Sequence, residues 1–389
     1  MSFNIHPEVL ALYDELVSIR REIHKNPEIL FDLPKTTKLV SDYLKGLGME
    51  VHENIGISGV VGVIQGNGPC ILLRADMDAL PLLEINEVDY KSTVDGKMHA
   101  CGHDAHTAML LVAAKVIWNN RHLLKGSVKF MFQPAEEGGH GALKMIEDPK
   151  YPILDHEPRV DEVYGIHVIN NQMIGNYLLN DCFMSCFADF FSILITGKGG
   201  HMSAETLNPI NIAAEMINAL QNIVARNIDN NERAVFSVTS FVAGDIENAV
   251  PETCSLKGTF RSLEKNVRDM IISRIEEISK GFEVAYRCKV DFELIPLYPP
   301  IKNSRVCVDK ADEVLKKISP NRVRDTVTLM IGEDFSYLTD RRPGAFVCLG
   351  TGTPNEVNSS IHSTSFNINE RSMLIGSSFF VNLILEQLA

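Results

Sequence analysis

Apolar residues recur at three- and four-residue spacing near the start of the chain, at Leu12, Leu16, Ile19 and Ile23. This spacing predicts a helix over residues 7–25, stopped by Asn26-Pro27. A second helix is predicted over 35–47, closed by Gly48. The pattern then changes period. Residues 59–64 and 70–75 are short continuous apolar runs, the signature of strands buried on both faces of a helix-covered sheet. A helix is predicted to begin near Asp104, with Ala108, Leu111, Val112 and Ala114 packing inward. Strands follow at 127–132 and 162–166, the second ending at His167. Helices alternating with apolar strands predict an α/β fold.

The middle of the chain reads differently. Residues 189–196 alternate as a strand and close at Gly197-Lys198-Gly199-Gly200. A helix over 209–226, strands over 234–242 and 254–261, a helix over 264–281 and a strand over 289–294 complete the order β-α-β-β-α-β. That order is the ferredoxin-like split pattern. The α/β character resumes after Pro299-Pro300 and ends in an apolar-rich helix over 372–388. The expected organisation is therefore a discontinuous first domain, 1–185 and 298–389, interrupted by an inserted domain, 186–297.

Composition narrows the class. The 389 residues include 45% hydrophobic and 22% charged positions, an ordinary globular balance. The formal charge of −13, with no basic cluster, disfavours nucleic acid as a partner. The longest apolar stretch, 108–118, is broken by Lys115 and is too short to span a bilayer, so no membrane association is expected. No secretory leader is visible at the N-terminus. The eight scattered cysteines form no framework of paired spacings, and a cytoplasmic location with reduced thiols is expected.

The candidate chemistry starts in Met98-His99-Ala100-Cys101-Gly102-His103-Asp104-Ala105-His106. Downstream stand Glu136-Glu137, His167 and His362. Imidazole, thiolate and carboxylate are the ligand types of zinc and its neighbours. His103 lies where a loop meets a helix, Glu136 and Glu137 follow a strand, and His167 ends another. Functional groups of open α/β sheets gather at the carboxyl ends of strands, so these positions are compatible with one cleft.

Seven segments, in order, carry a family resemblance: Arg74-Ala75-Asp76-Met77-Asp78-Ala79-Leu80-Pro81, the 98–104 run, Gln133-Pro134-Ala135-Glu136-Glu137-Gly138-Gly139, Gly165-Ile166-His167-Val168, Gly197-Lys198-Gly199-Gly200-His201, Gly332-Glu333-Asp334-Phe335 and Ile361-His362-Ser363. The chain resembles the amidohydrolase branch of the aminoacylase and carboxypeptidase G metallopeptidase family, the group of hippurate hydrolase and the plant auxin-conjugate hydrolases. The resemblance implies a di-metal aminopeptidase-like catalytic domain with helices on both faces of a mixed sheet, and a ferredoxin-like inserted lid or dimerisation domain. It implies two divalent ions per subunit, Zn or Mn with Co or Ni also accommodated. Cys101 would bridge them, with His103 and His167 completing one ion and Glu137 and His362 the other. Glu136 would be the general base, and Asp76 would orient His103. His201 would stabilise the oxyanion in its own or a partner's site. Asn248 and Arg261 would contact substrate, an N-acyl amino acid, and the subunits would form a homodimer or higher oligomer. Glu333 lies near the substrate in the family. His99, His106 and His140 are not expected to be ligands.

One departure stands out. The family commonly has a second histidine shortly after the one at His201, whereas here the run is Met202-Ser203-Ala204-Glu205-Thr206-Leu207-Asn208-Pro209. Other readings of the residues stay open: an N-acetyl-diaminopimelate deacetylase or small dipeptidase on the same site, a cysteine hydrolase with Cys101 as nucleophile and His103 as base, or a metal-stabilised scaffold. A scaffold site would close with four ligands and need no spare carboxylate.

Overall fold

The computed structural model describes residues 3–321, 323–354 and 358–389. In chain order the strands are β1 (Glu50–Ile55), β2 (Gly59–Ile64), β3 (Cys70–Asp76), β4 (Ser127–Gln133), β5 (Glu162–Met173), β6 (Tyr177–Leu178), β7 (Phe187–Thr196), β8 (Gly200–His201), β9 (Ala234–Val242), β10 (Ala249–Val250), β11 (Thr253–Ser262), β12 (Lys289–Tyr298), β13 (Arg324–Asp325) and β14 (Gly344–Gly352). The helices are α1 (Pro7–Ala11), α2 (Tyr13–Lys25), α3 (Pro34–Gly46), α4 (His103–Asn119), α5 (Gly141–Ile146), α6 (Pro209–Asn222), α7 (Lys265–Tyr286), α8 (Arg305–Ile318), α9 (Ser336–Thr339) and α10 (Ser372–Leu388).

The chain forms two compact units. The first comprises Met1–Met184, Ile301–Val327 and Asp334–Ala389, and the second Ser185–Pro300 with Thr328–Glu333. The return of 328–333 to the second unit leaves no mark in the hydrophobic pattern. The first unit is built on a mixed sheet of order β1-β2-β4-β3-β5-β14-β6-β13. The pairs β3–β4, β3–β5 and β5–β14 are parallel, whereas β1–β2 and β2–β4 are antiparallel. Every residue of β2, β3, β4 and β14 is buried, so both faces of the sheet centre are covered. Helix α4 is buried almost throughout because its sequence is apolar on all sides, and α2 and α10 pack against it.

The second unit carries an antiparallel sheet of order β12-β7-β11-β9, with α6 and α7 packed on it. Its path β7-α6-β9-β11-α7-β12 is the split β-α-β-β-α-β pattern. Phe191, Ile193 and Ile195 of β7 face the helices while Phe190 and Leu194 stay exposed, the alternation of a half-covered sheet. A two-stranded ribbon, β8 with β10, is added to this plan.

Three local differences matter. The first predicted helix breaks at Leu12, whose ψ of 15° leaves the helical range, giving α1 and α2. The long middle helix ends at Asn222 and passes into a π-turn over Ile223–Asn227. The strand expected to end at His167 runs on to Met173, but β3 pairs with it only as far as Gly165, so His167 lies beyond the end of that ladder.

Gly102 precedes α4 with φ at +86°, and a Cβ there would lie 2.3 Å from Val168 Cγ2. The Gly102→Ala protein is expected to lose ~2–5 kcal/mol of stability, left-handed strain adding to overpacking. Urea unfolding checks this, and a loss below ~0.5 kcal/mol, the usual range of a neutral surface change, would show that the α4 entry is not tightly constrained.

Candidate metal centre

The parallel pairing of β3 and β4 sets Asp76 beside Gln133, so both strands deliver their carboxyl ends to one edge. Beyond β4 the backbone turns sharply, with Ala135 at φ +52° and Gly138 at φ +93°. Glu136 and Glu137 sit in this turn, and the Gly138 N–H donates to Glu136 O at 2.7 Å. Beyond β3, Asp78 reaches across: its two carboxylate oxygens accept the backbone N–H groups of Glu136 (3.0 Å) and Glu137 (3.1 Å). Asp78 Oδ1 also lies 3.4 Å from His103 Nδ1. One buried carboxylate therefore holds the acid pair and faces the histidine.

A second layer lies beneath. The Arg74 fork donates to Gln133 Oε1 (2.7 Å), Asp76 Oδ2 (2.6 Å) and Asp334 Oδ1 (2.9 Å). Asp334 also accepts from the Gln133 amide and the Ala142 N–H. All four side chains are buried, where a bidentate guanidinium is among the few groups able to neutralise carboxylates. Burial opposes ionisation of Asp76, but Arg74, His103 and His106 hold its carboxyl well below the usual range.

Two groups of possible ligand atoms share Cys101. Cys101, His103 and His167 form one, Cys101, Glu137 and His362 the other, with all ligand atoms of each group within 4.8 Å of one another. Cys101 Sγ is 3.3 Å from His167 Nε2, and Glu137 Oε1 is 3.2 Å from His362 Nε2. Glu136 falls in a further group with His103 and Glu137. The His362 backbone N–H donates to Ala100 O at 2.8 Å, which ties the two distant segments together.

The histidines sort themselves by what their nitrogens already do. His106 Nε2 accepts the Val168 N–H (2.9 Å), so its proton is on Nδ1, donated to Asp76 Oδ1 at 2.6 Å. Neither nitrogen is left for a metal. His140 pairs through Nδ1 with the Tyr337 hydroxyl at 3.1 Å. His167 Nδ1–H donates to Val168 O (2.8 Å), which leaves an Nε2 lone pair facing Cys101. Burial, together with His106 nearby, holds His167 well below its ordinary pKa and therefore neutral, as a ligand must be. Both His103 nitrogens are buried with no close hydrogen bond, the nearest carboxylate oxygens standing at 3.4 Å (Asp78) and 3.7 Å (Asp76). Burial disfavours its cation, yet Asp76, Asp78 and Glu137 raise its pKa to about 10. The field that holds a proton there is the field a divalent cation would meet. Orphaned imidazole nitrogens, a thiol and a carboxylate within one cluster fit a pair of divalent ions.

Asp76 faces His103, and it has closer partners as well. Asp76 Oδ2 stands 3.7 Å from His103 Nε2 while its stronger partners are Arg74 and His106, one helical turn on. The carboxylate nearer to His103 is that of Asp78. In the sequence Asp78 stands out only as the second acid in Asp76-Met77-Asp78. Gln133 and Asp334 likewise lie inside the 133–139 and 332–335 segments, with no local signal of the network they join.

In the second unit, His201 and Asn248 come together: His201 pairs with Ala249 across the β8–β10 ribbon, and the Met202 N–H donates to Asn248 O at 3.3 Å. His201 is exposed, with Nδ1 2.8 Å from Ser203 Oγ. Arg261 on β11 donates to Thr259 Oγ1 and Phe260 O; Asp189 lies near enough to act on its charge, but Arg261 forms no ion pair among the described residues. Glu333 is buried at the end of the short 328–333 segment.

A helix-covered mixed sheet with ligand groups at its strand ends, plus an inserted split β-α-β-β-α-β domain, defines a dinuclear metallohydrolase architecture. The chain belongs to peptidase family M20/M25/M40, whose family model matches residues 72–386. It is 38% identical to thermostable carboxypeptidase 2 of Saccharolobus solfataricus over 382 residues, covering 95% of this chain and 94% of that protein. It is also 38% identical to hippurate hydrolase of Campylobacter jejuni, over 99% of this chain and all of the relative. Among solved structures, the Bacillus subtilis YXEP protein, described as a dinuclear metal binding peptidase of the M20 family, superposes with a TM-score of 0.82 at 30% identity, covering 97% and 99% of the two chains. The protein is a metal-dependent hydrolase of amide bonds, with the fold of that family.

Asp78→Asn would turn one acceptor into a donor facing the Glu136 and Glu137 N–H groups. The variant is expected to bind metal ~10–100-fold more weakly. The rise in melting temperature on adding Mn to chelator-treated protein reads this, and should shrink by the equivalent of roughly 1.4–2.7 kcal/mol. An unchanged rise would remove Asp78 from the support of the site.

Proposed function

We propose that the protein hydrolyses the amide bond of N-acyl amino acids, acetyl, benzoyl or a related acyl group, to a carboxylic acid and a free amino acid. The observation that carries this reading is that two ligand groups share Cys101 with a further carboxylate, Glu136, beside them. In this reading Cys101, His103 and His167 hold one divalent ion, and Cys101, Glu137 and His362 the other. Such a pair supplies Lewis acidity, which polarises a carbonyl and lowers the pKa of water.

The chain's own residues do the rest. Glu136, its backbone fixed by Asp78, takes a proton from the attacking water and passes it to the departing amine. His201, held through Nδ1 by Ser203, offers its other ring nitrogen to the developing oxyanion. Arg261, a guanidinium in no ion pair among the described residues, suits the free carboxylate of the amino-acid half, with Asn248 as a further polar contact. The substrate class is supported by relatives named hippurate hydrolase and, at 32% identity, the N-acetylcysteine deacetylase of Bacillus subtilis. An N-acetyl-diaminopimelate deacetylase or small dipeptidase would use the same residues. Zn or Mn suits the mixed thiolate, imidazole and carboxylate set, and Co or Ni would also bind.

Two wider readings accompany this. The inserted sheet ends in β9 and β12, and pairing through such an edge would give a homodimer. All eight cysteines are free, which favours a reducing, cytoplasmic compartment. No helix of the described residues is long and apolar enough to cross a membrane.

Mn-loaded protein assayed against a panel of N-acetyl and N-benzoyl amino acids should release free amino acid from at least one. Chelation should abolish turnover and Mn or Zn restore it. Activity that survived complete metal removal but died on thiol alkylation would instead favour a Cys101 nucleophile. Glu136→Gln should retain metal and lose turnover by roughly 10²–10⁴-fold; a near wild-type rate would move the general base elsewhere.

A further inference from the structure

Arg20 lies on α2, ahead of residues 72–386, and is fully buried. Its three nitrogens point to two segments far apart in sequence. Nε donates to Asp104 Oδ2 at 2.8 Å, and Asp104 directly follows His103. Nη1 donates to Glu370 Oε1 at 3.1 Å and Nη2 to Asn367 Oδ1 at 3.3 Å, on the segment that also carries His362. His24 sits beside it, with Nδ1 2.7 Å from the same Asp104 oxygen and Nε2 3.2 Å from Glu84 Oε1. The Tyr90 ring faces the Arg20 guanidinium at 4.7 Å, and its hydroxyl pairs with Asn367.

The His362 segment needs such support. His362 has φ at +61°, is about half exposed, and belongs to no helix or strand. Outside the fork the segment is held by a few bonds to loops: His362 N–H donates to Ala100 O at 2.8 Å, Thr364 O accepts from Ile85, Phe366 O from Asn86 and Asn367 O from Asn170. By contrast, His103 opens α4 and faces Asp78. A planar fork that bonds both segments at once fixes their separation, which a lysine ammonium cannot do from one point.

We infer that Arg20 is a positioning residue of the metal centre, its guanidinium setting the His362 segment at ligating distance from the Cys101–His103 segment. The inference rests on the ligand assignment proposed above. It makes Arg20 matter to one ion more than the other. Loss of the fork leaves the His362 side held only by the His362–Ala100 backbone bond and loop contacts, while His103 and His167 keep their own supports.

Stepwise Mn titration of chelator-treated full-length protein tests this, with wild type, Arg20→Lys and Arg21→Gln side by side. Arg21 bonds the same Glu370 at 2.9 and 2.7 Å but, among the described residues, makes no hydrogen bond to Asp104 or Asn367. Wild type and Arg21→Gln should bind two ions alike. Arg20→Lys should bind one ion as wild type does and the second ~10–100-fold more weakly, with activity recovering as Mn is raised. Two ions bound with wild-type affinity by folded Arg20→Lys would overturn the inference, because charge alone would then suffice. Equal weakening of both ions would also overturn it. If Arg20→Lys does not fold, Asn367→Ser removes the fork's acceptor from the other side and must weaken the second ion, or the inference fails. A wild type that binds fewer than two ions overturns the ligand assignment itself, and this inference with it.

Discussion

Carboxylates repel one another, and the centre of this protein gathers four of them, with a cysteine, around a few strand ends. Asp76, Asp78, Glu136 and Glu137 are drawn together there with Cys101, and burial of all but Glu137 removes the water that would screen them. The fold meets this constraint in layers. Arg74 neutralises Asp76 and Asp334 from below, backbone N–H groups of Glu136 and Glu137 solvate Asp78, and the remaining negative potential is concentrated at His103. What is left over after that internal compensation is what makes the cluster attractive to cations.

The same layering explains why the backbone is irregular where it is. Ala135, Gly138 and Gly102 adopt left-handed conformations at the turns that carry Glu136, Glu137 and His103, and His362 does so itself. Strain of this kind persists where surrounding contacts over-determine it. Here those contacts are the parallel register of β3 and β4, the Asp78 carboxylate and the packed entry to α4 against Val168.

Much of this was legible in the sequence because apolar periodicity and motif order are local signals. The runs at 59–64 and 70–75 became β2 and β3, and the split β-α-β-β-α-β order was visible from turn residues and strand spacing. The five expected ligands, together with Glu136, lie in overlapping groups of possible ligand atoms. What was not legible is long-range pairing. Nothing in Asp76-Met77-Asp78 says that the first acid takes His106 and Arg74 while the second takes the Glu136 and Glu137 amides; that depends on where α4 lands on the sheet. Arg20 was invisible for the same reason, since its partners are 84 and about 350 positions away. The break at Leu12 and the extension of β5 past His167 are tertiary effects of the same sort.

In the proposed metal centre one sulfur, that of Cys101, would serve two ions. Metal content per chain, measured after dialysis against trace Mn, tests it by comparing three single substitutions. Cys101→Ala should leave neither ion tightly bound, whereas His167→Ala and His362→Ala should each retain one. A Cys101→Ala protein that still holds two ions would contradict the shared-thiolate account outright.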